Sequence, residues 1–169
     1  MLRYLYVKEV FAEIPGEISL GISISGCQIH CSGCHSRELW EDKGESLDVE
    51  SLCGLLNQHN GITCVCLFGG EHNIDALTEL FQYAHKRIKT AWYSGLDRLP
   101  NEYQGILQYL DFYKEGHYDA ELGGLDSPIT NQRLYHITHP GEKLWDITKM
   151  MQRNGLQQTI QVEGLDKMP

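Results

Sequence analysis

The sequence predicts an α/β fold, an incomplete (partial) βα barrel built on a mostly parallel sheet. Apolar runs of strand length alternate with segments of helical periodicity, which is the pattern of βαβ crossovers. Length supplies the second observation. A closed eightfold barrel takes roughly 250 residues, and the 169 residues here hold about five or six units at most.

Taken in order, residues 17–25 (Glu-Ile-Ser-Leu-Gly-Ile-Ser-Ile-Ser) alternate apolar and small polar side chains and read as a strand ending at Gly26. Asp48 is a suitable N-cap, and Val49, Leu52, Cys53 and Leu56 then recur at i, i+3, i+4 and i+7. That is one helix face, closed near Asn60-Gly61. Residues 62–68 are nearly all apolar, as a strand buried on both faces requires. Asn73 caps a second predicted helix whose apolar face is Ile74, Leu77, Leu80, Phe81 and Ala84. Ile88 to Tyr93 reads as a strand stopped by Ser94-Gly95. A short helix over 101–109 and a strand near 110–114 follow. In the tail, Trp145 to Arg153 is predicted helical and Thr159 to Val162 extended. No repeat, low-complexity tract or linker interrupts the chain, so residues 1–169 are expected to form a single domain.

Composition narrows the function classes. The formal net charge is −9 and the pI about 5.3, and the longest basic cluster is Lys86-Arg87-Ile88-Lys89. Nucleic acid and anionic membrane surfaces are therefore poor partners. The segment Met1 to Lys8 is too short and too charged for a signal peptide or a membrane span. Six cysteines without an export signal read as reduced thiols or metal ligands, and the expected compartment is the cytoplasm.

Chemistry concentrates at two places. Cys27, Cys31 and Cys34 stand in the spacing C-x3-C-x2-C, directly after the first predicted strand. Three thiolates from one loop can hold an iron–sulfur cluster and leave one coordination position open. With His30 and His35 nearby, structural zinc is the rival, although zinc sites usually join two separated ligand pairs. The second place is Phe68-Gly69-Gly70-Glu71-His72, at the end of the 62–68 strand. Two glycines there let backbone approach a ligand, and Glu71 offers a carboxylate to an ammonium group. Loops after parallel strands share one end of the sheet, where ligands bind.

Together these residues resemble the radical S-adenosylmethionine enzymes. The resemblance implies that Cys27, Cys31 and Cys34 ligate a 4Fe–4S cluster and that Gly69, Gly70 and Glu71 contact the cofactor's amino group. It narrows with Cys34-His-Ser-Arg-Glu-Leu-Trp40, with Lys89-Thr-Ala-Trp-Tyr-Ser-Gly95 and with the stretch 121–135, which contains Asn131-Gln132-Arg133. These are similar to the activating proteins of anaerobic (class III) ribonucleoside-triphosphate reductases. The family chemistry so implied is reductive cleavage of S-adenosylmethionine at the cluster. A hydrogen atom is then taken from a glycine of the reductase large subunit, with reduced flavodoxin or ferredoxin as the electron donor. A barrel open at one side suits a protein loop as substrate. Two positions depart from the superfamily pattern. Gly33 stands where many members carry an aromatic residue against the adenine, and His72 where many carry proline. The adenine contact is thus unassigned, with Gly33, Cys34 and His35 the neighbouring candidates.

Other residues have plainer readings beside functional ones. Ser94 could bind the cofactor or simply end a strand. Asp126, Ser127, Asn131, Gln132 and Arg133 could meet cofactor or partner, yet Asp-Ser-Pro is also ordinary turn chemistry. Cys64 and Cys66 share a strand face as small buried side chains, and Cys53 belongs to a helix core. His85, His117, His136 and His139 read as surface or loop residues, and 41–45 as a solvated loop. Three rivals remain open: activation of another glycyl-radical enzyme of formate-lyase type, a non-catalytic zinc-binding interaction module, and an iron–sulfur electron carrier.

Overall fold

Strand β1 (Leu2–Val10) runs antiparallel to β2 (Ser19–Ile24), and a short β3 (Glu45–Leu47) pairs with its outer edge. The computed structural model of the chain describes residues 1–138 and 143–152. The remaining strands are β4 (Cys64–Phe68), β5 (Lys89–Tyr93), β6 (Phe112–Glu115), β7 (Arg133–Thr138) and β8 (Lys143–Asp146). All eight join one sheet in the order β3-β1-β2-β4-β5-β6-β7-β8.

Only the centre of this sheet is parallel. β2, β4, β5 and β6 pair in parallel, whereas both flanks pair antiparallel. The expectation of a mostly parallel sheet therefore holds for the four middle strands and fails outside them. The reason is connection type: helix-bearing crossovers join the middle strands, while loops 11–18 and 116–132 simply reverse the chain. β1, β3 and β7 went unread because their alternation is weak. Residues 145–153 were expected to be helical. Trp145 and Asp146 instead pair with His136 and Tyr135 as an edge strand, and a 3₁₀ turn (Thr148–Met151) follows. Here sheet pairing overrides local periodicity. The strand expected at 159–162, like Arg153 and His139, lies outside the described residues.

The first two predicted helices form as read. In α1 (Val49–Gln58), Asp48 Oδ1 accepts from Ser51 N at 2.8 Å while Ser51 Oγ accepts from Asp48 N at 2.8 Å, a reciprocal capping box. In α2 (Ile74–Ala84), Asn73 Oδ1 accepts from Ala76 N at 3.1 Å. The helical stripe Leu77, Leu80, Phe81 and Ala84 is buried against Leu20, Ile22, Val65, Leu67 and Trp92 of the sheet. Residues 101–109 form a 3₁₀ helix on the way to β6. Side chains alternate across a strand, so the other face carries a second cluster: Cys64, Cys66, Ala91, Phe112 and Leu134 beneath Ile14 and Leu125. Cys64 and Cys66 are thus buried as read, whereas Cys53 is half-buried beside Asn57 and not in the core.

Leu77 is fully buried and also packs under the loop that follows β4. Leu77→Ala should lower stability by roughly 2–5 kcal/mol, since the rigid sheet cannot collapse into the space. Guanidinium melts check this through a lower midpoint at unchanged slope.

Candidate functional site

Parallel register brings the ends of β2, β4, β5 and β6 to one edge, and the loops that follow them meet there. The cysteine loop leaves β2 through Gly26, whose φ of +77° suits glycine. Backbone bonds then shape it: Cys27 N donates to Leu39 O at 2.9 Å and Cys34 N to Cys31 O at 3.2 Å. His30 adopts φ +52° and stacks on Trp40 with ring centroids 4.5 Å apart.

The glycine loop after β4 is built for close approach. Gly70 has φ +92°, and a Cβ there would meet Leu77 Cδ2 at 2.9 Å and Ile24 Cδ1 at 3.0 Å. Three bonds tie this loop to β5 and the turn beyond it: Gly69 N donates to Tyr93 O at 2.9 Å, the Trp92 indole to Gly69 O at 2.9 Å, and Gly95 N to Glu71 Oε1 at 2.6 Å. Gly95 also seats the cysteine loop, because any Cβ on it would meet Ile29 Cγ1 at 2.9 Å. The three loops are one packed unit.

They enclose an open cavity of about 200 Å³ lined by all three cysteines, Glu71, Ser94 and Lys114, with Gly69 on its wall. A larger groove of about 560 Å³ lies alongside, between β1, β2 and the 36–39 segment, but it carries no cysteine. Of the two, the smaller space gathers the three thiols. Cys31 Sγ accepts from Tyr118 N and Cys34 Sγ from Ser36 N, each at 3.4 Å. Such bonds to sulfur tune the potential of a cluster held there. Burial raises the Cys27 thiol above its ordinary value, and nearby Glu71 and Cys31 add to this against backbone N–H groups of residues 29 and 30.

Lys114 was not anticipated. It lies on β6 at 7% exposure, and its Nζ donates to Ser94 O at 3.1 Å and Gly116 O at 2.5 Å. Desolvation pulls its pKa down to about 8, opposed by Cys31, Glu71 and Asp97. The sequence carried no signal for it, since lysines are usually exposed and nothing in the 110–114 pattern marked this strand as buried. Trp40, the last residue of the 34–40 segment that carries the resemblance, also lines the cavity, as does Tyr118, which no pattern in the sequence marked.

The other expected residues divide. Ser94 is buried on the cavity wall, with Oγ accepting from Leu96 N at 3.0 Å. Gly33 and His35 lie beside the cavity, against the 118–120 segment. His72 packs beneath Gly26, its Nδ1 buried without a partner. Asn131 and Gln132 hold the loop after β6, donating to His117 O at 3.0 and 3.5 Å. Asp126 is exposed, Ser127 closes a turn, and Arg133 faces Asp146 across to β8. His117 pairs with Asp97 at 2.5 Å, and His136 and His85 pack on the aromatic rings of Phe112 and Tyr109. Of the 41–45 run, 41–44 is exposed loop as read, whereas Glu45 begins β3 and pairs with Tyr4.

Three cysteine thiols on one cavity are the ligand type that an iron–sulfur cluster takes. Among the described residues no group of three His, Cys, Asp or Glu is placed to hold a single metal ion. The other three cysteines, Cys53, Cys64 and Cys66, do not line the cavity, so they supply no fourth thiolate. Among the described residues no helix is long and apolar enough to cross a membrane.

The family model described as 4Fe-4S single cluster domain matches residues 15–138, which span β2 to β7 and every cavity residue named above. No curated protein and no solved structure matches the chain.

A charged ammonium buried at Lys114 costs the cluster-free fold roughly 3 kcal/mol, at about 1.4 kcal/mol per pH unit from 10.5 to about 8. Between those values the unfolded chain binds more protons at this side chain, so stability contributed by Lys114 rises with pH. Denaturant melts from pH 8 to 10.5 should show the native protein gaining on Lys114→Met by about that amount. A constant difference would disprove the burial cost.

Proposed function

The chain belongs to the 4Fe-4S single cluster domain family, and we propose that it is a radical S-adenosylmethionine activase that installs a glycyl radical on an anaerobic ribonucleoside-triphosphate reductase. One observation carries the reading. Three thiols from a single loop, with no fourth cysteine at hand, share a cavity with a carboxylate and a buried ammonium. Cys27, Cys31 and Cys34 would hold the cluster. Glu71 and Lys114 have the opposite charges that the ammonium and carboxylate of an amino acid require, and S-adenosylmethionine ends in that zwitterion. When bound, the cluster and S-adenosylmethionine supply one-electron cleavage of the sulfonium and, from it, the power to abstract a hydrogen atom.

The chain's own residues perform the rest. Gly95 N–H fixes the Glu71 carboxylate, and Trp92 fixes the turn that presents it. The N–H donors on Cys31 and Cys34 set the cluster potential. We read the sheet as an incomplete βα barrel of radical S-adenosylmethionine type whose open side admits a backbone loop of the reductase large subunit. The groove beside β1 is the natural approach, since it meets the cavity at Ser36, Leu39 and Phe68. Reduced flavodoxin or ferredoxin is the electron donor in this reading, and the cytoplasm its setting.

Anaerobically reconstituted protein, reduced in the presence of S-adenosylmethionine, should release 5′-deoxyadenosine and methionine. Adding the reductase should produce a glycyl-radical signal. Cys31→Ala should lose product formation entirely while keeping the native circular dichroism spectrum. Product at the native rate from that variant would sink the cluster assignment. A loaded cluster yielding no nucleoside product would mark an electron carrier instead, and a radical formed only on a formate-lyase type partner would reassign the substrate.

A further inference from the structure

Four aromatic rings line the cavity: Trp40, Phe68, Tyr93 and Tyr118. Three are engaged. Trp40 stacks on His30, while Phe68 packs edge-on against Tyr93 at 5.1 Å and both join the second core cluster. Tyr118 differs in origin and in setting. It comes from the loop after β6, far along the chain, yet its backbone N–H reaches Cys31 Sγ. Its ring tilts against His35, with centroids 5.3 Å apart, and its hydroxyl lies 3.3 Å from His35 Nε2.

The loop is fixed from behind as well. Asn131 Nδ2 donates to His117 O at 3.0 Å, and Gln132 Nε2 reaches Gly116 O and His117 O at 3.4 and 3.5 Å. In front, a Cβ on Gly33 would meet Ala120 Cβ at 2.9 Å and Tyr118 Cε1 at 3.7 Å. The space a side chain at position 33 would fill is therefore taken by the 118–120 segment. An aromatic ring held rigidly beside the cysteines, at a cavity that takes a nucleoside, is suited to stack on a purine.

We propose that Tyr118 forms the aromatic wall for the adenine of S-adenosylmethionine, with His35 holding its hydroxyl and Asn131 and Gln132 acting as positioning residues for its loop. This rests on the function proposed above and assigns a contact that the cysteine loop itself does not provide.

The test uses the full chain with its cluster reconstituted anaerobically and reduced. Electron paramagnetic resonance reads the ligand concentration that half-converts the cluster signal. The two probes are S-adenosylmethionine and S-methylmethionine, a sulfonium with the same amino and carboxylate groups but no nucleoside. Tyr118→Ala and Tyr118→Leu should each raise the S-adenosylmethionine requirement by about tenfold to a hundredfold. Tyr118→Phe should stay within about twofold, since it keeps the ring. S-Methylmethionine should be unaffected by all three, at unchanged iron content. Equal weakening of both probes would show that Tyr118 merely props the cysteine loop, and no weakening of either would remove it from the site. Both results overturn the proposal while leaving the function standing. A native cluster signal blind to S-adenosylmethionine would overturn the function, and this assignment with it.

Discussion

Parallel register among β2, β4, β5 and β6 is the constraint on which everything else in the molecule depends. It brings four strand ends to one edge, and the loops beyond them carry the thiols, the glycine turn, the strand-end Ser94-Gly95 pair and the 116–132 segment. The contacts between loops are then short and specific. Glycine at 95 leaves room for Ile29, and glycine at 70 leaves room for Leu77 and Ile24. Each of these positions joins sheet packing to site geometry, so a side chain added at either would disturb both.

The two faces of the sheet divide the labour. The helix-covered face holds the large apolar side chains, among them Trp92, Phe81 and the leucines of α2, and supplies most of the burial. The opposite face mixes the small residues Ser19, Gly21, Cys64, Cys66 and Ala91 with the larger Phe112 and Leu134. Gly21 allows Phe68 to lie across the strand, since a Cβ there would sit 2.8 Å from its ring. Gly21 and Ser23 on that face line the groove beside β1. The buried cation at Lys114 is the exception, a destabilising group retained beside a carboxylate and three thiols.

Much of this was legible in the chain because it is encoded locally. Asp48 and Asn73 announce their helices by side-chain chemistry that operates within three residues, and the stripe from Ile74 to Ala84 follows one helical face. The cysteine spacing is likewise a property of one loop. What escaped is non-local. β8 is an exposed edge strand that exists through its partner β7, and its sequence carries no alternation that would reveal it. Lys114 looked like an ordinary strand residue until the loops folded over it. Tyr118 lies 87 positions from the sulfur it touches, a distance at which no periodicity speaks. The Asn131-Gln132 pair lies in the stretch that carries the resemblance, but its physical task, gripping the backbone of residues 116 and 117, is a contact between the two ends of a loop that spacing does not encode.

That same separation fixes a timetable for biogenesis. A nascent chain that has emerged only as far as α1 already displays Cys27, Cys31 and Cys34, yet has neither the strand end nor the distant backbone donor that shape them. Closing a span of that length is entropically slow, and it comes after the local helices have formed. During synthesis the thiols therefore pass through an interval of exposure to oxidants and stray metals. A cluster on these thiols would gain its distant backbone donor only once the chain has been translated past residue 118.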